Sequence, residues 1–251
     1  EASCGIENCP AYRAVVRAQS DYFVTARAEF VDFELYGLEG QYIQYAPRFE
    51  YRGFDSFALG FQVPVTTLFL NDSTETGLSN PIVFGEWQWR VQSNFSLGVG
   101  LQVELPLGAS ELGIADSHFE ILPYVRSYFD FGHYFMALQI GFRQSLDEIG
   151  AENSQHAHAV LIYVNPHVAQ EFTYRVHVGR QLGSEKLRTS VFLDVVEELG
   201  TPFNFGPVIR AGLDGQFELG TAFDLRLRLD RGISSNRRTE WRSDVGLQYR
   251  W

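Results

Sequence analysis

Lysine is nearly absent from this chain: Lys186 is the only one, against 19 arginines in 251 residues. With a formal charge of −11 as well, there is no lysine-rich or net positive field to hold a polyanion, which excludes nucleic acid as a partner. Long apolar runs are missing too. A transmembrane helix needs roughly 18 consecutive apolar residues, and the best run, Ala159 to Val164, ends after a few positions. Cysteine occurs only at Cys4 and Cys9, around Gly5 to Asn8. So close a pair favours a small disulfide loop, formed in an oxidising compartment, over a metal site that would need two further ligands. Gly-x-Ser-x-Gly is also missing. The histidines, His118, His133, His156, His158, His167 and His177, have no Ser and Asn in a diagnostic spacing, and no His-Ser signature of an outer-membrane phospholipase or lipid A deacylase is found. A non-enzyme without a cofactor is expected. No charged-then-apolar leader precedes Glu1, so the numbering reads as beginning after a removed signal peptide.

What the chain does have is alternation. Phe95, Leu97, Val99, Leu101, Val103 and Leu105 share one face, against Ser96, Gly98, Gly100, Gln102 and Glu104 on the other. Leu219 to Leu229 and Trp241 to Trp251 repeat the pattern, and further segments fall near 22–35, 41–52, 55–67, 81–92, 118–131, 133–144, 156–165, 168–181, 187–198 and 205–215. Short breakers stand at Arg52-Gly53, Ser93-Asn94, Phe131-Gly132 and Asn165-Pro166. Longer polar ones run over Asn71–Asn80, Gly108–Ser117 and Asp147–Gln155. Thirteen candidate strands, with an even number required of a closed single-chain barrel, predict about twelve strands, or fourteen if the opening segment also forms one. The fold class is all-β: an antiparallel up-and-down transmembrane β-barrel over residues 21–251. Residues 1–20 are expected to form a periplasmic segment or plug carrying the Cys4–Cys9 disulfide.

Alternation alone does not say which face meets water. Three features place the apolar face outside, on lipid. The polar face mixes Gly, Gln, Glu and Arg, as at Glu86, Gln88 and Arg90, which suits a wet lumen. Aromatics gather near strand ends, at Tyr42 and Tyr45, Trp87 and Trp89, Tyr128 and Phe129, and Tyr249 and Trp251, as rings do at a membrane interface. Arginine, whose planar fork binds carboxylates two-pronged, suits paired and partly buried positions. The mean hydropathy of −0.13 is then the average of an apolar lipid face and a polar lumen face.

The ending Val245-Gly246-Leu247-Gln248-Tyr249-Arg250-Trp251 resembles the terminal signal that outer-membrane proteins present to the barrel-assembly machinery, with Tyr249 and Trp251 as its aromatic positions. Gly77-Leu78-Ser79-Asn80-Pro81, a strand ending near Arg90, Leu97-Gly98-Val99-Gly100-Leu101, Glu104-Leu105-Pro106-Leu107-Gly108 and Asp116 through Pro123 are similar in order to the meta-pathway phenol-degradation-like outer-membrane proteins, over roughly residues 75–145. This resemblance implies a transport barrel without catalytic residues.

The expected pore-lining set is Glu86, Arg90, Glu104, Glu120, Arg126, Arg143, Glu171, Arg175, Asp194, Arg210, Asp224, Arg226 and Arg228, with arginines facing acids across the lumen. His156 and His158 share a strand side, with His167 beyond the proposed turn; these are weak metal candidates set against a plain rim role, and no metal is assigned. The expected function is passive passage of small solutes through a charged lumen. Its alternatives are a transporter of apolar or aromatic compounds and a structural barrel that sheathes a periplasmic partner protein.

Overall fold

In the computed structural model the described residues are 21–35, 38–53, 56–71, 73–115, 118–146, 164, 170–182, 187–199, 207–220, 222–234 and 240–250. They form a closed antiparallel barrel of twelve strands. In chain order these are β1 (Asp21–Leu35), β2 (Leu38–Tyr45 and Arg48–Gly53), β3 (Phe57–Gln62 and Val65–Leu70), β4 (Ser73–Leu78 and Ile82–Gln92), β5 (Phe95–Glu104), β6 (Glu120–Asp130), β7 (Tyr134–Ser145), β8 (Gln170–Leu182), β9 (Leu187–Glu198), β10 (Val208–Glu218), β11 (Phe223–Gly232) and β12 (Trp241–Arg250). Each strand pairs with the next, and β12 closes on β1 from Phe23↔Arg250 to Asp32↔Trp241, so no edge is left open. Tight turns such as Ser93-Asn94 lie at the end where β1 begins and β12 finishes, the periplasmic end in this architecture.

The breaks in β2, β3 and β4 each fall at a proline. The register of β1 on β2 runs unchanged past Pro47, from Ala28↔Tyr45 to Thr25↔Arg48. The carbonyl of Pro47 accepts from Val63 N at 3.1 Å, that of Pro64 from Ser79 N at 2.9 Å, and that of Pro81 from Leu105 N at 2.9 Å. A proline has no N–H to give back, so three successive strand junctions each forgo one ladder bond. Within β4 the register also slips by one residue, between Val65↔Leu78 and Gln62↔Ile82, which is a bulge.

One sequence expectation changes here. The polar stretch Asn71–Asn80 is not a long loop, because Ser73–Leu78 pairs with Val65–Leu70 as the first part of β4. Its Thr74 and Thr76 are exposed, so the stretch lacks the apolar outer face that marks the other strands. Of the thirteen candidate segments, twelve correspond to described strands; 156–165 lies outside the described residues apart from Val164.

The barrel is inverted relative to a water-soluble one. Val191, Leu213, Ile140 and Trp87 are 57%, 59%, 55% and 46% exposed on the outside, whereas Glu29, Glu86, Arg126, Glu171, Asp194, Arg228 and Arg242 are buried inside. A closed barrel with a mainly apolar exterior is stable only in lipid, and this is an outer-membrane β-barrel. Two aromatic positions read from the sequence as interface residues, Tyr42 and Tyr128, instead point inward and are buried; alternation puts them on the lumen face of β2 and β6. Inward rings need flat wall beneath them. At Gly212 a Cβ would lie 2.4 Å from the Leu229 carbonyl oxygen and 2.6 Å from the Phe192 ring, so only glycine lets Phe192 lie against β10.

At the long-loop end, the segment after β5 turns back into the mouth. The Ala109 N–H donates to the Leu78 carbonyl at 2.8 Å, and the Gly108 N–H donates to Asn80 Oδ1 at 3.0 Å. A single 3₁₀ turn, Ser110–Leu112, then delivers Ile114 into an apolar cluster with Val31, Phe33, Tyr42, Leu68 and Val164.

Candidate functional site: the lumen belt

Strand parity puts one polar side chain in two into the lumen, and in β8 to β12 and β1 those chains are mostly Arg or Asp/Glu at matching heights. Register then decides who pairs. Arg175 opposes Asp194 across β8–β9, and Asp194 opposes Arg210 across β9–β10. Arg175 grips Asp194 through Nε and through Nη2, the latter at 2.6 Å. Arg228 Nη2 donates to Asp194 Oδ2 at 3.0 Å and Arg210 Nη2 to the same oxygen at 3.4 Å. Asp230 is shared in turn by Arg228 Nε and Arg242 Nε, both at 3.0 Å, with Arg210 Nη1 at 3.9 Å. Arg242 continues to Glu29 at 3.8 Å, and Arg27 joins Glu29 at 2.5 Å and Asp244 at 3.0 Å. The result is a continuous belt across six strands, in which Arg27, Arg175, Arg210, Arg228 and Arg242 share Glu29, Asp194, Asp230 and Asp244.

The rest of the lumen holds smaller groups. Glu86 accepts from Arg126, from Tyr124 Oη at 2.8 Å and from Gln88 Nε2 at 2.5 Å. Glu50 accepts from Arg48 at 2.8 Å and Arg52 at 2.6 Å. Arg48 also stands over the Phe84 ring, 3.7 Å from its centre. Arg143 lies 3.5 Å from Glu120 and 4.0 Å from Glu171, and Arg226 binds Asp214 at 2.6 Å. Between the mouth cluster and these charges, Thr66 and Ser79 hydroxyls meet at 2.7 Å with Gln44 Nε2 beside them.

Of the residues expected to line the pore, Glu86, Glu120, Arg126, Arg143, Glu171, Arg175, Asp194, Arg210, Asp224 and Arg228 are buried inside the barrel. Glu104 and Arg226 lie on the same inward parity and are half-buried, and Arg90, near the periplasmic end of β4, is exposed. The arrangement differs from a transverse field: the arginines pair with acids on their own strand, on the next, or on the next but one, as Arg228 does with Asp194 and Arg126 with Glu86, because the register brings opposite charges into contact along the wall. Sequence reasoning missed Arg27, Glu29, Arg48, Glu50, Asp214, Asp230, Arg242 and Asp244. Parity alone would have found Asp230, Arg242 and Asp244, which stand on the polar faces of two clearly alternating strands. Tyr249 is on the outer face of β12; Trp251, Cys4, Cys9, His156, His158 and His167 lie outside the described residues.

No protein-family model matches the chain, and no curated protein matches it in sequence. Among solved structures it is similar to the COG4313 outer membrane channel from Pseudomonas putida F1, with 10% identity over 96% of this chain and 98% of that one, and a TM-score of 0.69. It is similar to the NanC porin, with 7% identity over 90% and 98% and a TM-score of 0.60. It is also similar to the KdgM porin, with 12% identity over 90% and 98% and a TM-score of 0.56. At such identities the likeness shows the fold, that of porin-like twelve-strand outer-membrane barrels.

Proposed function

We propose that this chain is a narrow outer-membrane channel through which small solutes pass passively, with the arginine–carboxylate belt setting what gets through. The observation that carries the reading is the belt itself: charged side chains fill the interior of a membrane barrel, where ion pairs add less stability than an apolar core would. A barrel of twelve strands falls between small barrels that side chains fill and large ones that leave a wide channel, so the belt governs the free cross-section. Neighbouring folds include an outer membrane channel and two porins, which agrees with this reading. Its partners would be outer-membrane lipid, the solutes, and the barrel-assembly machinery, met through Tyr249 and Trp251.

A second reading rests on the mouth. Phe33, Tyr42, Leu68 and Ile114 give the long-loop end an apolar interior, which suits an uncharged apolar or aromatic solute. That agrees with the resemblance of residues 75–145 to the meta-pathway phenol-degradation-like proteins. Swelling of proteoliposomes in isosmotic solutes tests the main proposal. Faster swelling in small polar solutes than in disaccharides supports it. No swelling in any solute would favour a structural barrel, with residues 1–20 and the Cys4–Cys9 pair as the docking point for a periplasmic protein.

A further inference from the structure

The long-loop end of β5 to β7 carries a charge pattern that the belt does not share. Glu104, the last residue of β5, stands directly opposite Glu120, the first of β6, and Glu120 stands directly opposite Ser145 at the end of β7. All three face the lumen; Glu120 and Ser145 are 2% and 0% exposed, and Glu104 is half-buried. Side chains directly opposite on neighbouring strands have Cβ atoms about 4.5–5.5 Å apart, and two like charges so placed destabilise a sheet. Arg143, the register partner of Glu171, divides its guanidinium between Glu120 at 3.5 Å and Glu171 at 4.0 Å, each longer than an ordinary hydrogen bond. Two neutral oxygens join the group. Gln102 Oε1, one step along the inner face of β5 from Glu104, and Ser145 Oγ have no hydrogen-bond partner, although Gln102 is 3% exposed. Buried oxygens left so carry a desolvation cost. An amide oxygen and an ionised carboxylate can only accept, so a positive centre suits them together. Among the described residues no three acidic or histidine side chains converge, so a cation here is held by two carboxylates with amide and hydroxyl oxygens. Such an all-oxygen set suits a hard ion.

We propose that Glu104, Glu120, Gln102 Oε1 and Ser145 Oγ bind one divalent cation of calcium size, with water in its remaining positions. Calcium accepts irregular sets of about six to eight oxygens, whereas magnesium demands a near-ideal octahedron, so calcium binds more tightly. Two carboxylates give the affinity class of extracellular modules, a Kd of about 10⁻⁴–10⁻³ M. Because Glu104 ends β5 and Glu120 opens β6, the ion clasps the base of the segment 105–119 that folds into the mouth. The full chain, refolded in non-ionic detergent without lipopolysaccharide and stripped with chelator, should bind one calcium per barrel on titration with calcium chloride. Crystals soaked in strontium chloride should show an anomalous peak between Glu104 and Glu120. Loss of even a supporting partner costs a metal site about 10–100-fold. Q102L/E104Q, which leaves Arg143 its contact with Glu120, should therefore weaken binding at least about tenfold. R143Q should tighten binding, because the guanidinium competes with the cation for Glu120; a purely structural ion pair would not behave so. The folded state of every variant is checked by its heat-modifiable mobility on gels. No saturable calcium binding in the parent protein, or equal affinity in Q102L/E104Q, would overturn the proposal. Calcium should also slow cleavage after the exposed Glu111 by a glutamyl protease, and equal cleavage with and without calcium would refute the clasp. A conducting channel that binds no calcium fails this site alone, and calcium binding by a non-conducting barrel fails only the channel reading.

Discussion

Asp194 is the residue on which the belt turns, and D194N is the sharpest perturbation of it. The substitution keeps the volume and one acceptor oxygen but removes the charge that Arg175, Arg210 and Arg228 share inside a side chain only 4% exposed. Hydrogen bonds to a charged group contribute about 1.5–3 kcal/mol each, but they share one carboxylate and are not additive. Breaking a buried pair by removing one partner costs about 3–5 kcal/mol. Arg210 and Arg228 keep Asp230 as a partner, so the lower end applies, about 3 kcal/mol. Urea titration of the barrel in lipid vesicles, followed through the fluorescence of its 4 tryptophans, measures the loss. Adding R175Q to D194N should recover part of it, with a coupling of at least about 1 kcal/mol. A loss below about 1 kcal/mol, the value of an exposed surface pair, would refute the claim that the belt is water-excluded and structural.

On the lipid face, L193R changes the neighbour of Asp194 that points outward, 41% exposed, and should cost about 2–4 kcal/mol in the same titration if that face meets the hydrocarbon; no cost would put the face in water. G212A forces a methyl to 2.6 Å from the Phe192 ring and should cost about 1–3 kcal/mol, visible as a lower urea midpoint. I114D places a charge in the mouth cluster and should loosen the segment that folds into the barrel, raising swelling rates in small polar solutes; an unchanged rate would mean that this segment does not restrict entry.

The strands most legible in the sequence are those whose two faces differ most. β5, β11 and β12 set Val, Leu and aromatic residues against Gly, Gln, Arg and Asp; the bounds of β5 and β12 match the alternation closely, whereas β11 begins four residues after Leu219 and ends three after Leu229. β1 was harder because its inward face carries Phe23, Val31 and Phe33 beside Arg27 and Glu29, so the contrast that alternation needs is lost and the two charges passed unnoticed. The first part of β4 hid for the opposite reason, since polar Thr74 and Thr76 stand on its outer face. Which residues face inward was readable from parity. Their pairing was not: Asp194 meets Arg175, Arg210 and Arg228 through the registers of β8 to β11, and strand order turned an expected field across the lumen into pairs along its wall.

Single-channel recording in a planar bilayer tests the central claim most directly. The folded protein should give discrete, small current steps in symmetrical salt, and D194N should change their size, because the belt sets the free cross-section. A folded parent protein that inserts without any current steps, in wild-type and D194N alike, would contradict the channel and leave a barrel closed by its own ion pairs.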